Sequence, residues 1–142
     1  MGKQIAYRFE KLIVWQKAMD FCLKAYEETR NFPKEELYGI TSQIRRAVTS
    51  IPLNIAEGSA CKSKKGFVQF LYIALRSQYE VVTTIKLANR LGYINTKANQ
   101  ELEEKIAEIG RLIQALINSL EKKSNNQQLA TKNFKGGFYE NG

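Results

Sequence analysis

Pro52 stands in the middle of a segment, residues 43–58, that otherwise reads as a helix. Ile40, Ile44, Ala47 or Val48, Ile51 and Ile55 fall three or four apart, so one face stays apolar on both sides of the break. An interior proline removes a backbone hydrogen bond and costs about 3 kcal/mol, so it persists where neighbours supply new polar partners. Ser50 and Asn54 are placed to be those partners. The segment therefore predicts a helix kinked at Pro52 and held inside an all-α domain.

The flanking sequence supplies the other helices. Leu12, Trp15, Met19, Cys22 and Tyr26 step by three and four, which predicts a first helix ending near Arg30. Asn31-Phe32-Pro33 is a turn signal, and the second helix starts between Glu35 and Thr41 and runs towards Gly58-Ser59-Ala60. Ser63 is a candidate N-cap for a long third helix from about Lys64 to Leu91, with Gly92 as a left-handed C-cap. Asn95 or Thr96 then opens a fourth helix. There Leu102, Ile106, Ile109, Ile113, Leu116 and Leu120 alternate steps of four and three, a seam like that of a coiled coil. Four helices with short connections predict an up-down-up-down four-helix bundle over residues 1–122. Residues 123–142 are rich in Asn, Gln and Gly and poor in aliphatics, and read as a disordered tail.

The third helix carries two adjacent apolar seams. Phe67, Phe70, Leu71, Ala74, Val81, Ile85 and Ala88 form one; Val68, Tyr72, Leu75, Tyr79 and Val82 form the other. The second seam fits either a wide face in the chain's own core or a contact with another copy. Because large apolar patches are uncommon on monomers, the preferred expectation is a homo-oligomer.

Charge is distributed unevenly. The chain of 142 residues has a net charge of +8, from 22 Lys and Arg against 14 Asp and Glu. Residues 37–97 hold nine bases and two acids, whereas residues 98–122 hold three bases and five acids. On the third helix Lys65, Arg76, Lys86 and Arg90 fall within about a quarter turn, beside Tyr72 and Tyr79. Lys62 and Lys64 precede that stripe; Arg45 and Arg46 either extend it or pair with Glu57 and Glu80. Bases interleaved with aromatics suit phosphate contact and base stacking, particularly on RNA or single strands.

Other chemistries lose ground on residue types. The chain has no histidine, the usual general acid or base near neutral pH and the commonest metal ligand. Glu57 and Glu80 could face each other across a bundle, as in di-iron proteins, but such sites need Glu-x-x-His on the helices. Buried pairing with Arg45, Arg46 or Arg76 is the preferred reading of both acids. No phosphate-binding glycine loop and no nucleophile-plus-base set occurs. The expectation is a non-enzymatic protein with no metal and no cofactor. Cys22 and Cys61 read as reduced, buried thiols, and neither a signal-peptide core nor about 20 consecutive apolar residues is present, so the expected setting is cytoplasmic, with no membrane contact.

Several runs resemble a known family. They are Phe9-Glu10, Val14-Trp15-Gln16-Lys17-Ala18, Phe32-Pro33, Tyr38-Gly39, Gln43-Ile44-Arg45-Arg46-Ala47, Ser50-Ile51-Pro52 and Asn54-Ile55-Ala56-Glu57-Gly58. The pattern resumes at Phe70-Leu71, Ala74, Ser77, Glu80 and Leu91-Gly92-Tyr93-Ile94. In these the chain resembles the four-helix-bundle proteins encoded by intervening sequences of bacterial 23S ribosomal RNA genes. Their relatives include the accessory variability proteins of diversity-generating retroelements. The resemblance covers about Phe9 to Leu120 and implies a pentameric barrel of bundles with a basic surface. It also implies RNA or an RNA-DNA intermediate as a partner, with a protein such as a reverse transcriptase as the alternative. Lys62, Lys64, Lys65, Arg76, Lys86 and Arg90 are the expected phosphate contacts, joined by Arg45 and Arg46. The family supplies no catalytic residues to carry over.

Overall fold

The computed structural model describes residues 2–125 and 138–140. Among these residues there are four helices: α1 (Ile13–Thr29), α2 (Ile40–Ser59), α3 (Lys64–Arg90) and α4 (Thr96–Asn125). Short 3-10 turns at Arg8–Lys11 and Lys34–Glu36 precede α1 and α2. Each helix packs on its neighbour in the chain and α4 closes back on α1, while α1 and α3, like α2 and α4, lie diagonally opposite. Connections this short make successive helices antiparallel, which gives the expected up-down-up-down bundle. Among the described residues there is no strand, only one antiparallel bridge between Leu12 and Tyr139.

α2 runs unbroken from Ile40 to Ser59 with Pro52 inside it. Proline offers no amide hydrogen to the Val48 carbonyl four residues back. The Cys22 thiol of α1 takes that place, donating to the Val48 oxygen at 3.1 Å in a buried setting. Burial pushes the thiol pKa up to about 11, which keeps the donor proton in place. Ser50 and Asn54, the partners read from sequence, do bond: Asn54 Nδ2 donates to the Ser50 carbonyl at 2.8 Å, and Ser77 Oγ of α3 donates to Ser50 Oγ at 2.8 Å. They tie α2 to itself and to α3, however, rather than serving the orphaned carbonyl.

The helix ends follow their local chemistry. Ser63 Oγ accepts from Gly66 N at 3.0 Å and starts α3. At the other end Gly92, at φ 83°, sits in the left-handed region. Tyr93 N donates to Ala88 O and Gly92 N to Asn89 O, the paired bonds of a Schellman stop. Asn95 Oδ1 then accepts from Ala98 N at 2.8 Å and caps α4. All six seam residues of α4, from Leu102 to Leu120, are buried. Between them, Gly110 lets α3 approach: a Cβ there would lie 2.6 Å from Gln78 Nε2. Gln78 Nε2 donates to Ile106 O at 3.1 Å, while its buried Oε1 has no partner among the described residues.

Three expectations are corrected. The buried face of α1 is Val14, Ala18, Phe21, Cys22 and Ala25, so the stripe read from large side chains is centred about a quarter turn away. Ala18 and Ala25 define the core side by being small, and Met19, Leu23 and Tyr26 are left exposed. The second seam of α3 is mostly consumed inside the chain: Val68 is buried and Leu75 and Val82 pack on the core, on the flank that meets α4. Glu57 and Glu80 do not form buried pairs, because both lie on outward faces and are exposed, and none of the ion pairs among the described residues includes them. The expected tail over residues 123–142 falls largely outside the described residues. Within them, α4 continues to Asn125, and Phe138–Glu140 lie against the start of α1, with Ile13 N donating to Phe138 O at 2.9 Å and Glu140 N to Lys11 O at 3.0 Å.

Candidate nucleic-acid interface

The outward face of α3 is cationic. Lys65, Arg76, Lys86 and Arg90 are all exposed there, and at about 1.5 Å per residue they span roughly 37 Å. Tyr79, at 66% exposure, and Tyr72, at 39%, stand among them. Tyr72 Oη donates to Glu121 at 3.4 Å, and partial burial together with that carboxylate pushes the phenol pKa up. Lys86 differs from the other three bases, because its Nζ pairs with Glu103 of α4 at 2.6 Å.

The eight cations named from sequence do not form one surface. Lys62 and Lys64 lie beyond the end of the stripe, in a cleft at the α2–α3 turn that also contains Arg8. Arg45 faces the α1 side of α2, and Arg46 is exposed, lining an open hollow with Tyr26 and Tyr38. Arg45 Nε donates to Thr29 Oγ1 at 3.0 Å, and its guanidinium stacks 4.7 Å from the centre of the Tyr26 ring. An arginine so engaged holds α1 against α2, and it is a poor free phosphate contact. Arg8 was missed in the sequence because 54 positions separate it from Lys62, and no local pattern signals that meeting.

The uneven charge of the chain becomes spatial through the ion pairs. Lys17 meets Glu108 at 2.9 Å and Lys24 meets Glu101 at 3.1 Å, so the acids of α4 are answered chiefly by α1. The Lys24 hydrogen bond holds the Glu101 carboxyl below the usual carboxylate range, and Lys17 does the same for Glu108. On α3, Lys65, Arg76 and Arg90 have no ion pair among the described residues. Among those residues no three His, Cys, Asp or Glu side chains cluster so as to hold a metal ion.

A helical bundle with a cationic, tyrosine-bearing outer helix is the class that the fold and this face define. Its family follows from comparison: the chain belongs to the 23S rRNA-intervening sequence protein family, whose model matches residues 10–115. It is also similar to a crystal structure of a protein of unknown function from the S23 ribosomal protein family of Bacteroides thetaiotaomicron. That similarity has 27% identity and a TM-score of 0.67, covering 74% of this chain and 98% of that one. No curated protein matches the chain.

Proposed function

We propose that this chain is a non-enzymatic RNA-binding protein that grips phosphates with the outward face of α3 and works as a homo-oligomer in the cytoplasm. The observation that carries the reading is the run of four exposed bases and two tyrosines on one face of a 27-residue helix, with Glu80 as its one acid. Phosphate neutralisation supplies affinity and the tyrosine rings offer stacking surfaces for unpaired bases. Support for self-association comes from α1, where Met19, Leu23 and Tyr26 leave an apolar strip outside the single chain. A pentamer is the state implied by family resemblance. No helix among the described residues is long and apolar enough to cross a membrane.

The test is fluorescence anisotropy with a structured RNA across a salt series. Four phosphate contacts predict an affinity that falls about 10²-fold between 50 and 200 mM salt. No binding at 50 mM salt would overturn the reading and leave a protein partner, such as a reverse transcriptase, as the occupant of this face. Light scattering tests the assembly: the expected mass is five times the 16.3 kDa chain, and a stable monomer would refute self-association.

A further inference from the structure

The cleft at the α2–α3 turn differs from the α3 face in shape and chemistry. It encloses about 280 Å³ and is walled by four separate parts of the chain: the segment before α1, the α2–α3 turn, the end of α4 and Tyr139. Arg8, Lys62 and Lys64 line it, and among the described residues no acid does. The contrast with the cleft between α1 and α4 is direct. That cleft also gathers three lysines, Lys17, Lys24 and Lys105, but Asp20 and Glu108 sit with them and Lys17 is paired to Glu108 at 2.9 Å. At the α2–α3 turn no ion pair among the described residues involves Arg8, Lys62 or Lys64. Three cations lining one cleft, with no acid among its described lining residues, favour a ligand carrying more than one negative charge.

The remaining walls are aromatic. Phe9, Phe67 and Tyr139 line the same space, which gives a flat, apolar group somewhere to lie. The arrangement is held in place. The Arg8 guanidinium sits 5.5 Å from the centre of the Tyr139 ring, and the backbone bonds of Phe138 and Glu140 to the α1 entry hold the chain on either side of it. Ser63 Oγ spends a lone pair on Gly66 N at 3.0 Å, so its own proton remains to donate into the cleft. The volume is at the small end of ligand pockets, enough for one nucleotide and too little for a helix or duplex.

From this we infer that the cleft binds a nucleotide bearing a terminal phosphate monoester. Arg8, Lys62 and Lys64 take the phosphate, and the aromatic wall takes the base. A monoester carries close to two negative charges at neutral pH, whereas an internal diester carries one, so the site selects ends over interior linkages. The same chemistry is offered by a free mononucleotide and by the phosphorylated end of an RNA strand.

Two titrations of the full chain at 50 mM salt test this. Calorimetry compares AMP, adenosine and inorganic phosphate; anisotropy compares one short RNA with a 5′-phosphate and with a 5′-hydroxyl. AMP is expected to bind at least tenfold tighter than either adenosine or phosphate. A 5′-phosphate preference of similar size in the RNA identifies a strand end as the source, and AMP binding without that preference identifies the free nucleotide. The Lys62→Gln/Lys64→Gln variant should lose the phosphate-dependent gain at least tenfold, whereas Arg76→Gln/Arg90→Gln should keep it. A readout on the unmodified chain guards against misfolded variants. Half-buried Cys61 lines the cleft, so AMP should slow its reaction with a thiol reagent at least tenfold. Indifference to the phosphate in both ligand sets, phosphate alone matching AMP, or full retention by the lysine variant would overturn the inference. Loss of salt-dependent RNA binding with AMP binding intact would instead refute only the α3 reading.

Discussion

Gly110 and Gln78 should show a substitution whose sign depends on its background. Alanine for glycine in a helix interior is worth about 1 kcal/mol in propensity. At position 110, however, the added methyl would lie 2.6 Å from Gln78 Nε2, and Gln78 is only 5% exposed, so its amide has nowhere open to go. Overpacking of this kind costs about 1–3 kcal/mol. Displacing the amide from the Ile106 carbonyl adds about 1 kcal/mol. Gly110→Ala should therefore destabilise the wild-type chain by about 1–3 kcal/mol. In a Gln78→Ala background the obstruction is gone, and the same change should stabilise by about 1 kcal/mol. Urea unfolding of the four chains, followed by circular dichroism at equal protein concentration, closes the double-mutant cycle. The expected coupling is about 2–4 kcal/mol with an unchanged m-value. If Gly110→Ala shifts the midpoint equally in both backgrounds, the contact does not limit the approach of α3 to α4.

Cys22→Ala orphans the Val48 carbonyl and should cost about 1–3 kcal/mol in urea unfolding, with Cys22→Ser recovering part of the loss because it keeps a donor. In the native chain a thiol reagent at mildly alkaline pH should titrate Cys61 quickly and reach Cys22, with its pKa near 11, only on unfolding. The lysine partners hold Glu101 and Glu108 below their unfolded pKa values, so the stability they add is complete above the unfolded carboxylate range and disappears as pH falls through the lowered folded values. Thermal melts of Lys17→Met and Lys24→Met should accordingly show a flatter acid limb than wild type. Arg76→Gln/Arg90→Gln should reduce the slope of log affinity against log salt by about 1.8 for RNA while leaving the melting temperature unchanged.

The fold was legible where a single helix carries its own signal. The α4 seam, the Ser63 and Asn95 caps and the Gly92 stop all depend on residues within one turn of each other, and each stands where the sequence places it. The reading failed where position depends on two helices at once. On α1 the large side chains drew attention to a stripe that is partly exposed, because alanine marks a tight contact by its size and a scan for bulk passes over it. The same limit hid Cys22 as the partner of the Pro52 break, since the orphaned acceptor is 26 positions away. On α3 the helical wheel gathered Lys65, Arg76, Lys86 and Arg90 correctly onto one exposed face. It could not show that Arg45 is committed to Tyr26 and Thr29, or that Arg8 meets Lys62 and Lys64.

The pairing of Phe138–Glu140 with Lys11–Ile13 has a topological consequence. It brings late and early parts of the polypeptide side by side, so the path of the backbone is nearly a closed circuit. A gene rearranged to splice residue 140 to residue 8 through a few glycines, and opened in the exposed turn between α1 and α2, should still give the same bundle. A bulky fusion placed just after residue 140, by contrast, would emerge beside Arg8 and crowd the mouth of the nucleotide cleft.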